Sequence, residues 1–195
     1  MHGWLVRGIP VQAEGGVEAR WRVRERGARV SGTGLRVAVE HLFRGNALNA
    51  VDAKGRLSVP AFIRAKIERR SDERLIVLAP HEAYPCLVGY DSNFDAEIYA
   101  ENERRRLAEE GTDPTAHFER AHRAFGAAEE APYDSSGRII LPQRMRSKGK
   151  IEDLALFVGV GATFEVWNPR VAAHEGGANL REIALYWLEE RGIAP

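Results

Sequence analysis

Two arginines, Arg56 and Arg138, occupy the same place in a pattern that the chain uses twice, Asp52-Ala-Lys-Gly-Arg-Leu-Ser-Val-Pro60 and Asp134-Ser-Ser-Gly-Arg-Ile-Ile-Leu-Pro142. The copies lie 82 residues apart, and Arg64 and Arg146 keep the same register beyond them. A guanidinium is a planar fork of five donors. It can meet guanine O6 and N7 together, the commonest specific contact in the major groove of DNA. Lys54, two residues before Arg56, is a mobile point charge better suited to a phosphate, and Arg44 is a second phosphate candidate. At the place of Lys54 the second copy has Ser136, so less is expected of Arg138 than of Arg56.

The residues around these arginines should position them. Asp at the first place and Gly at the fourth is the signature of a type I turn, in which Gly takes a positive φ as the strand resumes. Asp52, Gly55, Asp134 and Gly137 are therefore expected to shape the loops without touching a ligand. Alternating apolar residues follow (Leu57 and Val59; Ile139 and Leu141), then a Pro suited to the start of a helix. A repeated pattern means one structural unit used twice. Two tight loops, each presenting an arginine, suggest a binding surface more than a catalytic pocket.

The net charge is zero, but it averages opposites. Residues 43–70 hold seven Lys or Arg against two acids, and residues 134–150 hold five against one. Residues 91–130, between them, hold eleven acids against five arginines. That distribution fits a basic face directed at a polyanion with the acidic side turned away. One cysteine, Cys86, excludes an intramolecular disulfide framework and fits a reducing cytoplasm. The longest apolar stretch, Leu154–Phe164, is about half of the ~20 residues needed to cross a bilayer.

The string Phe43-Arg-Gly-Asn-Ala-Leu-Asn-Ala-Val-Asp-Ala-Lys-Gly-Arg-Leu-Ser-Val-Pro60, followed by the weaker copy at Asp134–Pro142, closely resembles the MraZ family. These are bacterial transcriptional regulators built from two SpoVT/AbrB-type halves. The resemblance runs from Phe43 to about Arg170. It implies an α+β fold with a mainly β core, in which two tandem AbrB-like swapped-hairpin halves form one pseudo-twofold domain with intervening and C-terminal helices. It implies sequence-specific binding of double-stranded DNA upstream of the division and cell-wall gene cluster, usually as a repressor of the cluster's own promoter. It further implies ring-like homo-oligomers laid along repeated promoter boxes, and a cytoplasmic, nucleoid-associated location. No cofactor, metal, membrane or small-molecule substrate is expected.

The organisation along the chain follows. Residues 1–38 are expected to be a basic, poorly ordered and dispensable extension, with Val37, Val39 or Leu42 marking the functional start; the rival reading is a basic arm that grips phosphates. Residues 46–93 and 128–171 are expected to be the two repeats, 94–127 a helical connector and 172–195 a C-terminal helix. Helices are expected over Asp95–Glu110, from an N-cap at Asp113 before Pro114, from Asn168-Pro169, and over Asn179–Arg191.

Two other function classes fit the sequence less well. An enzyme would need a site: Gly159-Val-Gly161 is followed by strand-like Phe164–Trp167 where a dinucleotide loop needs a helix, and His117 and His122 are five apart, not four. Cys86 suits a small apolar role in a buried strand. An antitoxin-like protein-binding module of AbrB type is the alternative, although those usually carry one copy and a disordered tail.

Overall fold

The computed structural model describes residues 42–108 and 114–195. The expected basic extension, Glu110 and the expected cap Asp113 lie outside the described residues.

The fold is α+β, with a mainly antiparallel sheet. Among the described residues eight strands occur in order: β1 (Asn46–Ala50), β2 (Arg56–Ser58), β3 (Leu75–Pro80), β4 (Leu87–Tyr90), β5 (Glu129–Pro132), β6 (Arg138–Ile140), β7 (Leu154–Gly159) and β8 (Phe164–Trp167). Helices α1 (Ala61–Arg70) and α4 (Gln143–Lys148) each start after the Pro that closes a repeat. Between the repeats lie a short 3-10 turn (Ser92–Phe94), α2 (Asp95–Ala108), α3 (Pro114–Ala121) and a π-helical turn (His122–Gly126). Helices α5 (Pro169–Glu175) and α6 (Ala178–Glu190) close the chain. Asn168 caps α5 by accepting the Arg170 N–H, and Pro169 occupies the first turn, as the Asn-Pro pair predicts.

Six strands form one sheet in the order β1-β7-β8-β4-β3-β5, and β2 and β6 form a separate two-stranded ribbon. The pairing crosses between repeats. Strand β1 runs beside β7, with Leu48 opposite Leu156, and β5 runs beside β3, with Ala131 opposite Ile76. Ribbon strand β2 pairs with β6. Strand β5, Glu-Glu-Ala-Pro, has no alternating apolar pattern to announce it; its buried Ala131 and its pairing with β3 make it a strand.

Alternation along the strands sends residues to two cores. Phe157, Ile76 and Leu78 face one side, where Leu57, Val59, Ile63 and Ile67 meet Ile139, Leu141 and Met145 from the other repeat. Leu48, Leu156 and Trp167 face the opposite side, beneath Ala172 and Ala173 of α5 and Ala184 and Leu188 of α6. Helix α6 is further tied to β1: the Trp187 indole donates to Asn46 Oδ1 at 2.7 Å, and Arg191 donates to the Leu48 carbonyl at 3.1 Å.

An ion pair ties the end of α1 to the turn after β4. Arg70, at the end of α1, places Nε 2.8 Å from a carboxylate oxygen of Asp91, whose side chain is fully buried. The same guanidinium lies 5.1 Å from the Phe43 ring centre and donates to the Ala162 carbonyl at 2.8 Å. Removing one partner strands the other charge in a dry site, which costs more than the pair itself contributes. Arg70→Leu is expected to lower stability by about 3–5 kcal/mol, and the double change Arg70→Leu with Asp91→Leu by less. Denaturant melts of the three proteins check this.

Candidate nucleic-acid interface

Each repeat builds the same loop. Gly55 N–H donates to the Asp52 carbonyl at 2.9 Å and Asp52 N–H to the Arg56 carbonyl at 3.0 Å; the matching bonds at Gly137 and Asp134 are 2.8 and 3.0 Å. Gly55 has φ 77° and Gly137 φ 75°, the positive value that a type I turn followed by a bulge requires. The aspartates finish the turns. Asp52 Oδ1 accepts the N–H groups of Lys54 and Arg56, both at 2.8 Å, and Asp134 Oδ1 accepts those of Ser136 and Arg138 at 2.9 and 3.0 Å.

The second carboxylate oxygen aims the arginine. Asp52 Oδ2 takes Arg56 Nε at 2.6 Å. Asp134 Oδ2 takes Arg138 through both Nε at 3.1 Å and Nη2 at 2.9 Å. Both arginine side chains remain 55% exposed. Arg56, held through Nε, projects the ends of its fork, whereas more of the Arg138 fork is occupied. The backbone N–H of Arg56, then its guanidinium, holds the Asp52 carboxyl below the usual Asp range, and Arg138 does the same for Asp134. Such a lowered carboxyl supports the fold above its ordinary titration range, and that support disappears as pH falls through the lowered value.

The two loops meet across the ribbon. Leu141 N–H donates to the Gly55 carbonyl and Val59 N–H to the Gly137 carbonyl, each at 2.8 Å. Arg56 stands opposite Ile140, Leu57 opposite Ile139 and Ser58 opposite Arg138. Leu57 and Ile139 are buried, so Arg56, Ser58, Arg138 and Ile140 make one outward face. The arginines take diagonal corners, a spacing of about 7–8 Å between Cα atoms. Lys54 is exposed in the first turn.

Arg44 is not brought to this face. It precedes β1, beside the bridge between Phe43 and Gly161, whereas the ribbon joins the other end of β1 through the Val51–Leu57 bridge. The five residues of β1, roughly 17 Å of strand, lie between the two places.

Arg64 and Arg146 share a register in the sequence that by itself assigns them no role. Each approaches the glycine of the other copy, Arg64 closely and Arg146 at van der Waals distance. The Arg64 side chain covers Gly137, where an added Cβ would come 2.5 Å from Nε, and Arg146 reaches toward Gly55, 3.9 Å from the corresponding Cβ position. Arg146 is fixed by the carbonyls of Ile151 at 3.2 Å and Glu152 at 2.7 Å. Their signal was the shared eight-residue offset from Arg56 and Arg138.

The rival sites have ordinary places. Cys86 is 1% exposed, and burial, followed by the Glu165 charge, pushes its thiol upward, away from a reactive thiolate. Gly161, at φ 98°, lies in the turn between β7 and β8. Among the described residues no helix is long and apolar enough to cross a membrane.

A family profile described as "MraZ protein, putative antitoxin-like" matches residues 124–171, which include the second loop. A Rhodospirillum rubrum protein named Transcriptional regulator MraZ is 34% identical over 147 residues, 75% of this chain and 92% of its own length. The chain belongs to the MraZ family. A Gluconobacter oxydans protein of the same name is 33% identical over 134 residues, 68% of this chain and 79% of its own, and one from Hydrogenovibrio crunogenus is 34% identical over 127 residues. The MraZ profile thus takes in Asp134, Gly137 and Arg138, the residues that shape and aim the second loop.

In this MraZ chain the glycine of the first loop is the sharpest handle on loop shape. Gly55→Ala would place a Cβ at positive φ and 3.2 Å from the Leu141 carbonyl oxygen. The change is expected to cost about 1–2 kcal/mol in a denaturant melt. Carbon-detected NMR titration of Asp52 and Asp134 is expected to give midpoints below that of an unstructured Asp peptide.

Proposed function

We propose that the chain is a sequence-specific DNA-binding transcriptional regulator that represses the division and cell-wall gene cluster, its own promoter included. The observation that carries this reading is the pair of aimed arginines on the outward face of the β2–β6 ribbon. A two-stranded ribbon fits the major groove of B-DNA. The spacing of the two Cα atoms, about 7–8 Å, is close to two base-pair steps of about 3.4 Å each. Arg56 reads a guanine, Lys54 meets a neighbouring phosphate, and Arg138 contributes less because more of its fork is taken by Asp134. Arg44 serves a phosphate outside the ribbon's groove. The names of the relatives support the regulatory class over an enzyme.

The architecture that fits this reading is a pair of AbrB-type swapped hairpins, residues 46–93 and 128–171, related by a pseudo-twofold, with 94–127 as helical connector and 172–195 as a closing helix. Its support is the strand order, which reads the same from both ends when each strand is exchanged for its counterpart. One ribbon offers few contacts. Ring-like homo-oligomers on repeated promoter boxes would convert weak sites into tight binding through effective concentration. Nucleoid association in the cytoplasm follows from the same role.

Mobility shifts on DNA upstream of the protein's own gene test the reading, with circular dichroism as folding control. Arg56→Ala is expected to lose ~1–3 kcal/mol per site and with it specific binding, and Arg138→Ala to lose less. Normal binding by Arg56→Ala together with failure of Arg138→Ala would reverse the assignment of the loops. Light scattering is expected to give a closed assembly of several copies at micromolar concentration; a monomer with and without DNA would remove the ring.

The profile's description favours one second reading, an antitoxin-like module that binds a protein. Co-purification with a stoichiometric partner, coupled to no DNA shift, would support it.

A further inference from the structure

The outward face of the ribbon is nearly symmetric, and its single departure is chemical. Arg56 and Arg138 match, but Ser58 on β2 has Ile140 as its counterpart on β6. Ile140 is 65% exposed, on a strand whose other apolar member, Ile139, is 3% exposed. It is directly opposite Arg56 in the ladder, a separation of about 4.5–5.5 Å between Cβ atoms. Isolated exposed apolar residues are common, and a β-branched residue also favours a strand for its own sake. A residue there only for strand formation would leave base preference untouched, which separates the two explanations.

Resting on the DNA-binding reading above, we propose that Ile140 is a specificity-determining residue: its side chain meets the C5-methyl of a thymine beside the guanine taken by Arg56. The major groove displays that methyl as its one apolar group, and aliphatic contact is the way proteins read it. The base beside the Arg138 contact faces Ser58, whose hydroxyl can donate or accept and tolerates more than one base edge. The two ends of one ribbon therefore read different sequences. The element bound by a single subunit is directional, not palindromic.

The test uses the full chain and the duplex that footprinting defines upstream of its own gene. Each thymine is replaced in turn by deoxyuridine, which lacks only the methyl, and each guanine by 7-deazaguanine, which lacks the N7 acceptor. The unsubstituted chain is expected to bind about fourfold more weakly, the effect of one methyl removed from contact, when one thymine next to a 7-deaza-sensitive guanine is replaced. Ile140→Ser should bind the thymine and uracil duplexes equally, and Ile140→Val should retain the preference. Ile140 is exposed, so both variants should stay fully folded at the assay temperature, Ile140→Ser melting slightly lower for its weaker strand preference. If Ile140→Ser keeps the same thymine preference, or if guanines matter and no thymine does, the Ile140 assignment is wrong while DNA reading stands. If neither substitution changes binding anywhere, base reading by the ribbon falls and the assignment falls with it.

Discussion

Val59 and Leu141 each send one N–H to the glycine carbonyl of the opposite loop, at 2.8 Å, and the remaining geometry of the ribbon depends on that exchange. The segments around the two loops interleave: β1 completes the sheet beside β7, β5 lies beside β3, and the ribbon draws β2 from one copy of the pattern and β6 from the other. Leu57 and Ile139 anchor the ribbon in a core to which both repeats contribute Ile63, Ile67, Leu141 and Met145. The arginines are thus fixed by the whole fold even though their loops are only a few residues long.

The loops combine rigidity and exposure by separate means. Aspartate oxygens and a positive-φ glycine satisfy the turn's own N–H groups, which leaves little local freedom to lose on binding. The Arg64 side chain covers Gly137 from the opposite side of the ribbon. The ion pair within each loop then orients a guanidinium that stays in water, so the charge is aimed without being buried. An exposed pair of this kind stabilises the fold little; its effect is on direction.

Much of this was legible because the signals are local. Asp and Gly three apart predict the turn, the alternation after it predicts β2 and β6, and the Pro places α1 and α4. Leu75–Ala79 reads as a buried strand because it is continuously apolar. What stayed hidden lies in pairings between distant residues. Strand β5 carries two glutamates and a proline, so only its place beside β3 identifies it. The remoteness of Arg44 from the ribbon depends on the length of β1, and the approach of Arg64 and Arg146 to the glycines depends on crossing between repeats. Ile140 looks like any strand isoleucine until the register sets it outward and opposite Arg56.

On the proposed reading the ribbon enters the major groove and its arginines meet base edges there. Methylation interference on the upstream duplex distinguishes the grooves. Dimethyl sulfate marks guanine N7 in the major groove and adenine N3 in the minor groove, so one experiment reports on both. N7 methylation of a guanine in each repeated box is expected to exclude the DNA from the complex, and N3 methylation to have no effect. Interference confined to adenine N3, or none at either position, would contradict it.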